Sequence, residues 1–251
     1  MVYQTPKSQE AMKIVIPENM RFRGMEGFNL PNFDEVEPVL SAYARWKKQR
    51  LGRYTASQFG KIKIAKSGKN KGGLTQTAET YLSDIVAEIM TGQPQDSFKA
   101  KALQWGIEHE PLAIKAYEKA KGVKVKKAKF RLVPGLRLGG GTPDGLIGTE
   151  GVLEIKCPYV STNHVKTVIS RQVPEQYYSQ VVGHLLTTGR QYVDFVSFDI
   201  RNKYEPLVII RVERNEDEIQ ELLERLQLFD KALRAEMKRL GIKRDVKLKP
   251  D

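Results

Sequence analysis

The stretch Gly139-Gly-Gly-Thr-Pro-Asp144-Gly-Leu-Ile-Gly-Thr-Glu-Gly-Val-Leu-Glu154-Ile-Lys156-Cys-Pro158 decides the reading of this chain. It has the pattern of a strand, a tight turn and a second strand. Gly148, Thr149, Glu150 and Gly151 are turn residues, while Val152, Leu153 and Ile155 suit a strand. Side chains two apart in a strand share a face, so Glu154 and Lys156 point the same way. The turn folds Asp144 back beside them, which brings two carboxylates and an ammonium together. Acids this close need a counter-charge to stay ionised, and a divalent cation is the usual one. Oxygen ligands without His or Cys favour magnesium, with manganese able to substitute, over zinc. The lysine can orient an attacking water or stabilise charge on phosphate, so the group suits metal-assisted phosphodiester hydrolysis. Glu154 also lies in the apolar run Val152-Leu153-Glu154-Ile155, where a carboxylate needs a partner.

The chain has 251 residues, 40% of them hydrophobic, enough for one large globular domain with a substantial core. No apolar run has the length of a membrane span, and no signal pattern opens the sequence, so a cytoplasmic protein is expected. A single cysteine excludes an internal disulfide framework and a cysteine-based zinc site. Cys157 has no histidine near it in sequence and reads as a buried spectator thiol. Lys and Arg total 42 against 30 Asp and Glu, a net charge of +12, which favours a polyanionic partner. Two runs concentrate it: Lys61, Lys63, Lys66, Lys69 and Lys71, then Lys119, Lys121, Lys124, Lys126, Lys127, Lys129 and Arg131. A charge run is often only a solvated face. Beside an acid cluster of the phosphodiesterase type, two of them point to nucleic acid.

Residues 1–33 carry Pro and Gly breakers and read as an irregular arm, and 34–50 read as a helix. Thr55 is placed to cap a short helix before the basic loop. Thr75–Met90 has helical spacing and stops at Gly92, and Ala100–Lys121 is a second helix with Pro111 marking a kink or break. Strands are expected over 123–133, 136–148, 151–157, Gln191–Asp199 and Pro206–Glu213. Helices are expected over Pro174–Thr188 and Asn215–Leu240, with a loose basic tail from Lys243. No repeat or interdomain linker interrupts this order, which implies one α/β domain: a central mixed sheet flanked by helices.

Several motifs then occur in a familiar order. They are Trp46-Lys-Lys-Gln-Arg50-Leu-Gly-Arg-Tyr-Thr-Ala-Ser57, Ala100-Lys-Ala-Leu103-Gln-Trp105-Gly-Ile-Glu-His-Glu110, Thr142-Pro-Asp144-Gly-Leu, Leu153-Glu154-Ile-Lys156-Cys-Pro and Tyr178-Ser-Gln180-Val. Together they resemble the phage λ exonuclease family, the YqaJ-type viral recombinases, within the restriction-endonuclease-like nucleases. The resemblance runs from about Tyr43 to Leu240. It implies that Asp144 and Glu154 are metal-binding carboxylates, joined by the backbone carbonyl of Ile155, and that Lys156 positions the hydrolytic water. Glu110 matches a further acid near a second metal and the water. Arg50, Ser57, Thr142 and Gln180 fall where the family builds a pocket for a 5′-terminal phosphate; Thr142 replaces the family's serine and keeps the hydroxyl. Leu103 falls where the family wedges the duplex end, and Lys66, in a shortened basic loop, near where it grips that end. The residues alone also allow blander roles. Arg50 suits a helix C-terminus, Ser57 a cap and Gln180 a solvated helix face, while Leu103 and Trp105 suit a core. His184 reads as helix packing, and His109 and His164 stay unassigned.

The family's activity implies a magnesium-dependent 5′→3′ exonuclease on linear double-stranded DNA, releasing 5′-mononucleotides and leaving 3′ overhangs for recombination by single-strand annealing. It further implies a homotrimeric ring, an annealing-protein partner, and a phage or prophage gene acting in a bacterial host. Two rival readings are a site-specific endonuclease with the same metal core, against which the phosphate-pocket residues argue, and a non-catalytic DNA-end-binding protein, against which the set Asp144, Glu154 and Lys156 argues.

Overall fold

A computed structural model of the protein describes residues 50–94 and 100–242. The expected arm over 1–33, nearly all of the helix expected over 34–50, and the tail from Lys243 lie outside the described residues. The path begins with β1 (Tyr54–Thr55), a 3-10 helix (Ala56–Lys61), α1 (Gln76–Thr91) and α2 (Ala100–Lys121). Short strands follow: β2 (Val125–Lys126), β3 (Arg131–Leu132), β4 (Gly139–Gly141), β5 (Gly145–Ile147) and β6 (Gly151–Lys156). Then come α3 (Ser161–Ser170), α4 (Glu175–Thr188), β7 (Tyr192–Phe198), β8 (Leu207–Glu213) and α5 (Glu216–Arg239).

The central sheet has five strands in the order β2-β5-β6-β7-β8. Only the β6–β7 pair is parallel; the other pairs are antiparallel, so the sheet is mixed as expected. Its two faces bury different cores, as the alternation of strand side chains requires. Val152, Val193 and Phe195 face a large core built with α1, α4 and α5. Leu153, Ile155, Val196 and Phe198 face a smaller one, closed by Leu112, Ala113 and Tyr117 of α2.

The helices expected over Thr75–Met90 and Asn215–Leu240 form, and side chains at their first residues cap them. The Thr75 side chain accepts from the Ala78 amide, and Gly92 ends α1 in the left-handed region. Asn215 caps α5 by accepting from Asp217 and Glu218, and Ile219, Leu222, Leu226, Phe229 and Leu233 form its buried stripe. Thr55 precedes its 3-10 helix but makes no capping bond; its hydroxyl lies 3.2 Å from that of Ser57. Pro111 lies inside α2, which runs unbroken through it. Burial of Leu112, Ala113 and Tyr117 just beyond the proline offsets the missing backbone bond.

The sequence and the structure differ in three places. The strand expected over 123–133 is split: Val125–Lys126 pairs with β5 in the central sheet, and Arg131–Leu132 pairs with β4 in a smaller one. The continuous strand expected over 136–148 is likewise divided between the two sheets. Gly139–Gly141 joins a small sheet, pairing in parallel with β1 and antiparallel with β3, and Gly145–Ile147 joins the central one. Close packing explains why three glycines form β4: a Cβ at Gly139 would stand 2.2 Å from the Tyr54 ring, and one at Gly140 2.4 Å from the Phe130 ring. Helix α3 was not expected. Its Ser, Thr, Asn, His and Val residues are weak helix formers. Tertiary bonds hold it: the buried His164 donates from Nε2 to the Glu205 carbonyl at 2.8 Å, and its Nδ1 lies 2.8 Å from the Ser197 hydroxyl.

Candidate active site

The β5–β6 hairpin builds the centre. Gly148 takes the positive φ of 51° that the turn needs, and Gly145 then pairs with Leu153. Asp144, just ahead of β5, accepts a 2.6 Å bond from the Ile155 amide, so the first acid is anchored to the backbone beside the second. Glu154 is 1% exposed and carries three partners. Lys156 Nζ and Gln180 Nε2 each donate to its Oε1 at 2.6 Å, and His184 Nε2 lies 2.8 Å from its Oε2. The Lys156 ammonium also sits 4.9 Å over the Tyr177 ring. Glu110 arrives from α2, which covers the opposite face of the sheet. The site therefore straddles the carboxyl end of β6.

These acids do not share one electrostatic fate. Burial pushes Asp144 well up, and the charges of Glu154 and Glu110 add to it, against the opposing pull of Lys156 and the Ile155 amide. Burial raises Glu110 as well, helped by Glu154. Burial would also raise Glu154, but Lys156 and His184 outweigh it and hold that carboxyl below its usual range. Burial disfavours the Lys156 ammonium, yet Glu154 and Asp144 overcome this and raise it. The result is one settled ion pair, Glu154–Lys156, beside two acids that resist ionising without added positive charge. Burial, with the charges of Glu110 and Asp144, pushes the Cys157 thiol up to about 12, in keeping with a spectator.

A divalent cation fits this donor set. Every candidate ligand is a hard oxygen, and a cation would relieve the mutual elevation of Asp144 and Glu110. Among the described residues, no three His, Cys, Asp or Glu side chains form a ready cage. Magnesium does not require one, since it keeps several waters and takes one or two carboxylates. His184, turned onto Glu154, is no ligand here.

The other expected residues fall in several places. Arg50 donates from Nη2 to the exposed Ser57 hydroxyl at 3.2 Å. Gln180 stands on Glu154, not with that pair. Thr142 follows β4, and its buried hydroxyl has no hydrogen-bond partner among the described residues. Ile155 is buried in β6 opposite Val196. Leu103 is half-buried in the first turn of α2, and Lys66 is exposed on the loop between Ile64 and Leu74, which pair as an isolated bridge. Both basic runs are exposed along their lysines. A cavity of about 760 Å³ opens beside Lys156, lined by Lys61, Lys63, Lys166, Ser57 and Tyr177. The second run borders the site too, since the Lys127 charge acts on Glu110.

Sequence reasoning missed His184 as a partner of Glu154. The available signal was its spacing: Gln180 and His184 are four apart, hence on one face of α4. It also left His109 unassigned. That ring stacks on Trp105 at 3.6 Å, and the Arg201 guanidinium lies 4.2 Å from the Trp105 ring centre. Arg201 in turn donates to the Pro158 carbonyl and to Asp199. This layer fixes the turn of α2 that carries Glu110 against the segment leaving β6.

A model of the YqaJ-like viral recombinase domain matches residues 45–191. The crystal structure of an alkaline exonuclease (LHK-Exo) from Laribacter hongkongensis is similar at 29% identity and a TM-score of 0.68, over 79% of this chain and 96% of that one. The same figures hold for LHK-Exo in complex with dAMP. A phage related exonuclease from Haemophilus somnus 129PT shares the fold, at 18% identity and a TM-score of 0.58, over 75% of this chain and 96% of that one. No curated protein matches the chain.

Proposed function

The chain belongs to the YqaJ-like viral recombinase family, and from that premise we propose that it is a magnesium-dependent exonuclease digesting linear double-stranded DNA from its 5′ ends. Its fold is the restriction-endonuclease-like α/β fold, and it is a nuclease acting on DNA. The finer reading is that it releases 5′-mononucleotides and leaves 3′ overhangs for a single-strand annealing protein. The observation that carries the chemistry is the meeting of Asp144, Glu110 and the Glu154–Lys156 pair at one strand end.

Asp144, Glu154 and the Ile155 carbonyl would hold Mg²⁺, or Mn²⁺ in its place, with Glu110 toward a second ion. When bound, such a metal would supply charge neutralisation at the phosphoryl oxygens and a water activated at neutral pH. Lys156, kept protonated by Glu154 and Asp144, donates to the attacking water or to a phosphoryl oxygen. Glu110, whose elevation a bound cation would relieve, would be ionised there and accept the proton from that water as it attacks in line. Arg50 and Ser57, already paired, bind the 5′-terminal phosphate through the rigid guanidinium fork, with the Thr142 hydroxyl as a further donor. Gln180, expected in that pocket, has its amide on Glu154 instead. Leu103 wedges the duplex end, and Lys66 with the exposed basic runs grips the backbone. A homotrimeric ring threading the duplex, encoded by a phage or prophage and working in the bacterial cytoplasm, completes this reading. Among the described residues, no helix is long and apolar enough to cross a membrane.

The test is digestion of linear duplex labelled at either end and of closed circular duplex, with magnesium or with chelator. Magnesium-dependent release of 5′-label as mononucleotide from linear DNA alone is expected. Cleavage of the circle would make the protein an endonuclease, and binding without cleavage would make it an end-binding protein.

A further inference from the structure

His184 is a buried histidine whose environment does not suit mere packing. It is 0% exposed, and its Nδ1 is buried with no hydrogen-bond partner among the described residues. An orphaned ring nitrogen is costly, and a leucine or methionine would fill the space without that cost. What the ring gains is a 2.8 Å contact from Nε2 to Glu154 Oε2. A carboxylate oxygen can only accept here, so Nε2 carries the proton and donates.

The seat of the ring is rigid. Gly141 of β4 comes so close that a Cβ there would stand 3.4 Å from Cε1 and Nδ1 of the ring and 2.9 Å from the Ala56 Cβ. Gln180, one helical turn back, and Lys156 both donate to Oε1. An ionised carboxylate has about four acceptor positions. Two donors occupy Oε1 and one occupies Oε2, which leaves a single open position, on Oε2.

We propose that His184 is a positioning residue for the metal centre: it locks the Glu154 carboxylate with one acceptor position, on Oε2, left free to serve a metal. The inference rests on the metal-dependent reading above and deepens it. Gln180 and Lys156 alone would leave Oε2 without a protein donor and the carboxylate plane held from one side only. Outer hydrogen bonds of this type orient a ligand and strengthen it, and their loss typically weakens metal binding about 10–100-fold.

The experiment uses the full chain, stripped of metal and without DNA, and titrates Mn²⁺ by electron paramagnetic resonance. His184→Met removes the donor at similar volume, while His184→Gln keeps an amide donor of similar reach. Thermal unfolding of the metal-free proteins reports folding separately. The expectation is that folded His184→Met binds Mn²⁺ roughly 10–100-fold more weakly than the parent, and that His184→Gln restores most of the affinity. If His184→Met does not fold, His184→Asn, whose amide is too short, replaces it against His184→Gln with the same expectation. Parent-like Mn²⁺ binding by the donor-less variant overturns the proposal, as does equal weakness of the two variants. Absence of Mn²⁺ binding by the parent protein overturns the metal reading itself, and the proposal with it.

Discussion

Asp194→Asn tests how the two sides of the sheet are held together. Asp194 lies on β7 and is fully buried. It accepts from the Tyr117 hydroxyl of α2 at 2.6 Å and from Nε and Nη2 of Arg211 of β8 at 2.8 and 2.9 Å. The helix that carries Glu110 is thus tied to the sheet that carries Glu154. In the asparagine variant Oδ1 can still accept from Arg211 Nε. The new amide nitrogen, however, cannot accept: it faces Arg211 Nη2, which only donates, and the Tyr117 hydroxyl, which keeps a bond only by turning round to accept. Bonds to charged groups are worth about 1.5–3 kcal/mol each, and Arg211 is partly exposed, so the net cost should be about 2–4 kcal/mol. At about 2–4 °C per kcal/mol for a chain of this size, the melting temperature should fall by roughly 4–16 °C. Burial would raise the Asp194 carboxyl, but Arg211 and Tyr117 outweigh it and hold it below its usual range. A depressed folded-state pKa gives stability that is fully present above the unfolded value, about 3.9, and is lost as pH falls through the folded value. The gap between parent and variant should therefore stay constant from neutral pH down to about 4 and narrow only below that. Urea unfolding followed by circular dichroism at several pH values measures it, with Tyr117→Phe, which removes one bond, expected to show a smaller loss. A variant as stable as the parent at neutral pH, or a gap that widens on acidification, would refute the reasoning.

Asp144→Asn, Glu154→Gln and Lys156→Ala should each abolish digestion while DNA binding survives, the first two binding at least as tightly because a charge repelling phosphate is gone; near-parental digestion by any of them removes that residue from the centre. Neutralising lysines in the two basic runs should flatten the dependence of log affinity on log salt by about 0.9 for each phosphate that is no longer neutralised, and an unchanged slope would show those runs to be solvated surface. The parent should digest 5′-phosphorylated duplex faster than 5′-hydroxyl duplex and Arg50→Ala should lose that preference, whereas equal parental rates on both ends would remove the phosphate pocket. Gly139→Ala drives a Cβ to 2.2 Å from the Tyr54 ring, which a 2.9 Å bond to Asp230 holds in place, and should cost about 1–3 kcal/mol or more in denaturant unfolding.

Much of this protein is local and was legible in the chain. The two-residue period of β6 puts Glu154 and Lys156 on one face, and Gly148 turns Asp144 back onto the Ile155 amide. Helices α1, α4 and α5 announce themselves through apolar spacing and through Thr75, Gly92, Gly189 and Asn215 at their ends. Such signals act over a few residues, where backbone geometry leaves little choice. Only the tertiary structure decided the rest. Gly139–Gly141 has no side chains to declare a face, so the rings of Tyr54 and Phe130 determine that β4 leaves the central sheet. Helix α3 has weak propensity and exists because His164 is bonded to residues far along the chain. Glu110 meets the hairpin from the other face of the sheet, and Gln180 and His184 reach Glu154 across 26 and 30 residues of chain. A buried carboxylate announces that it needs partners; which side chains supply them is set by how helices pack on a sheet, and that geometry is written in no local pattern.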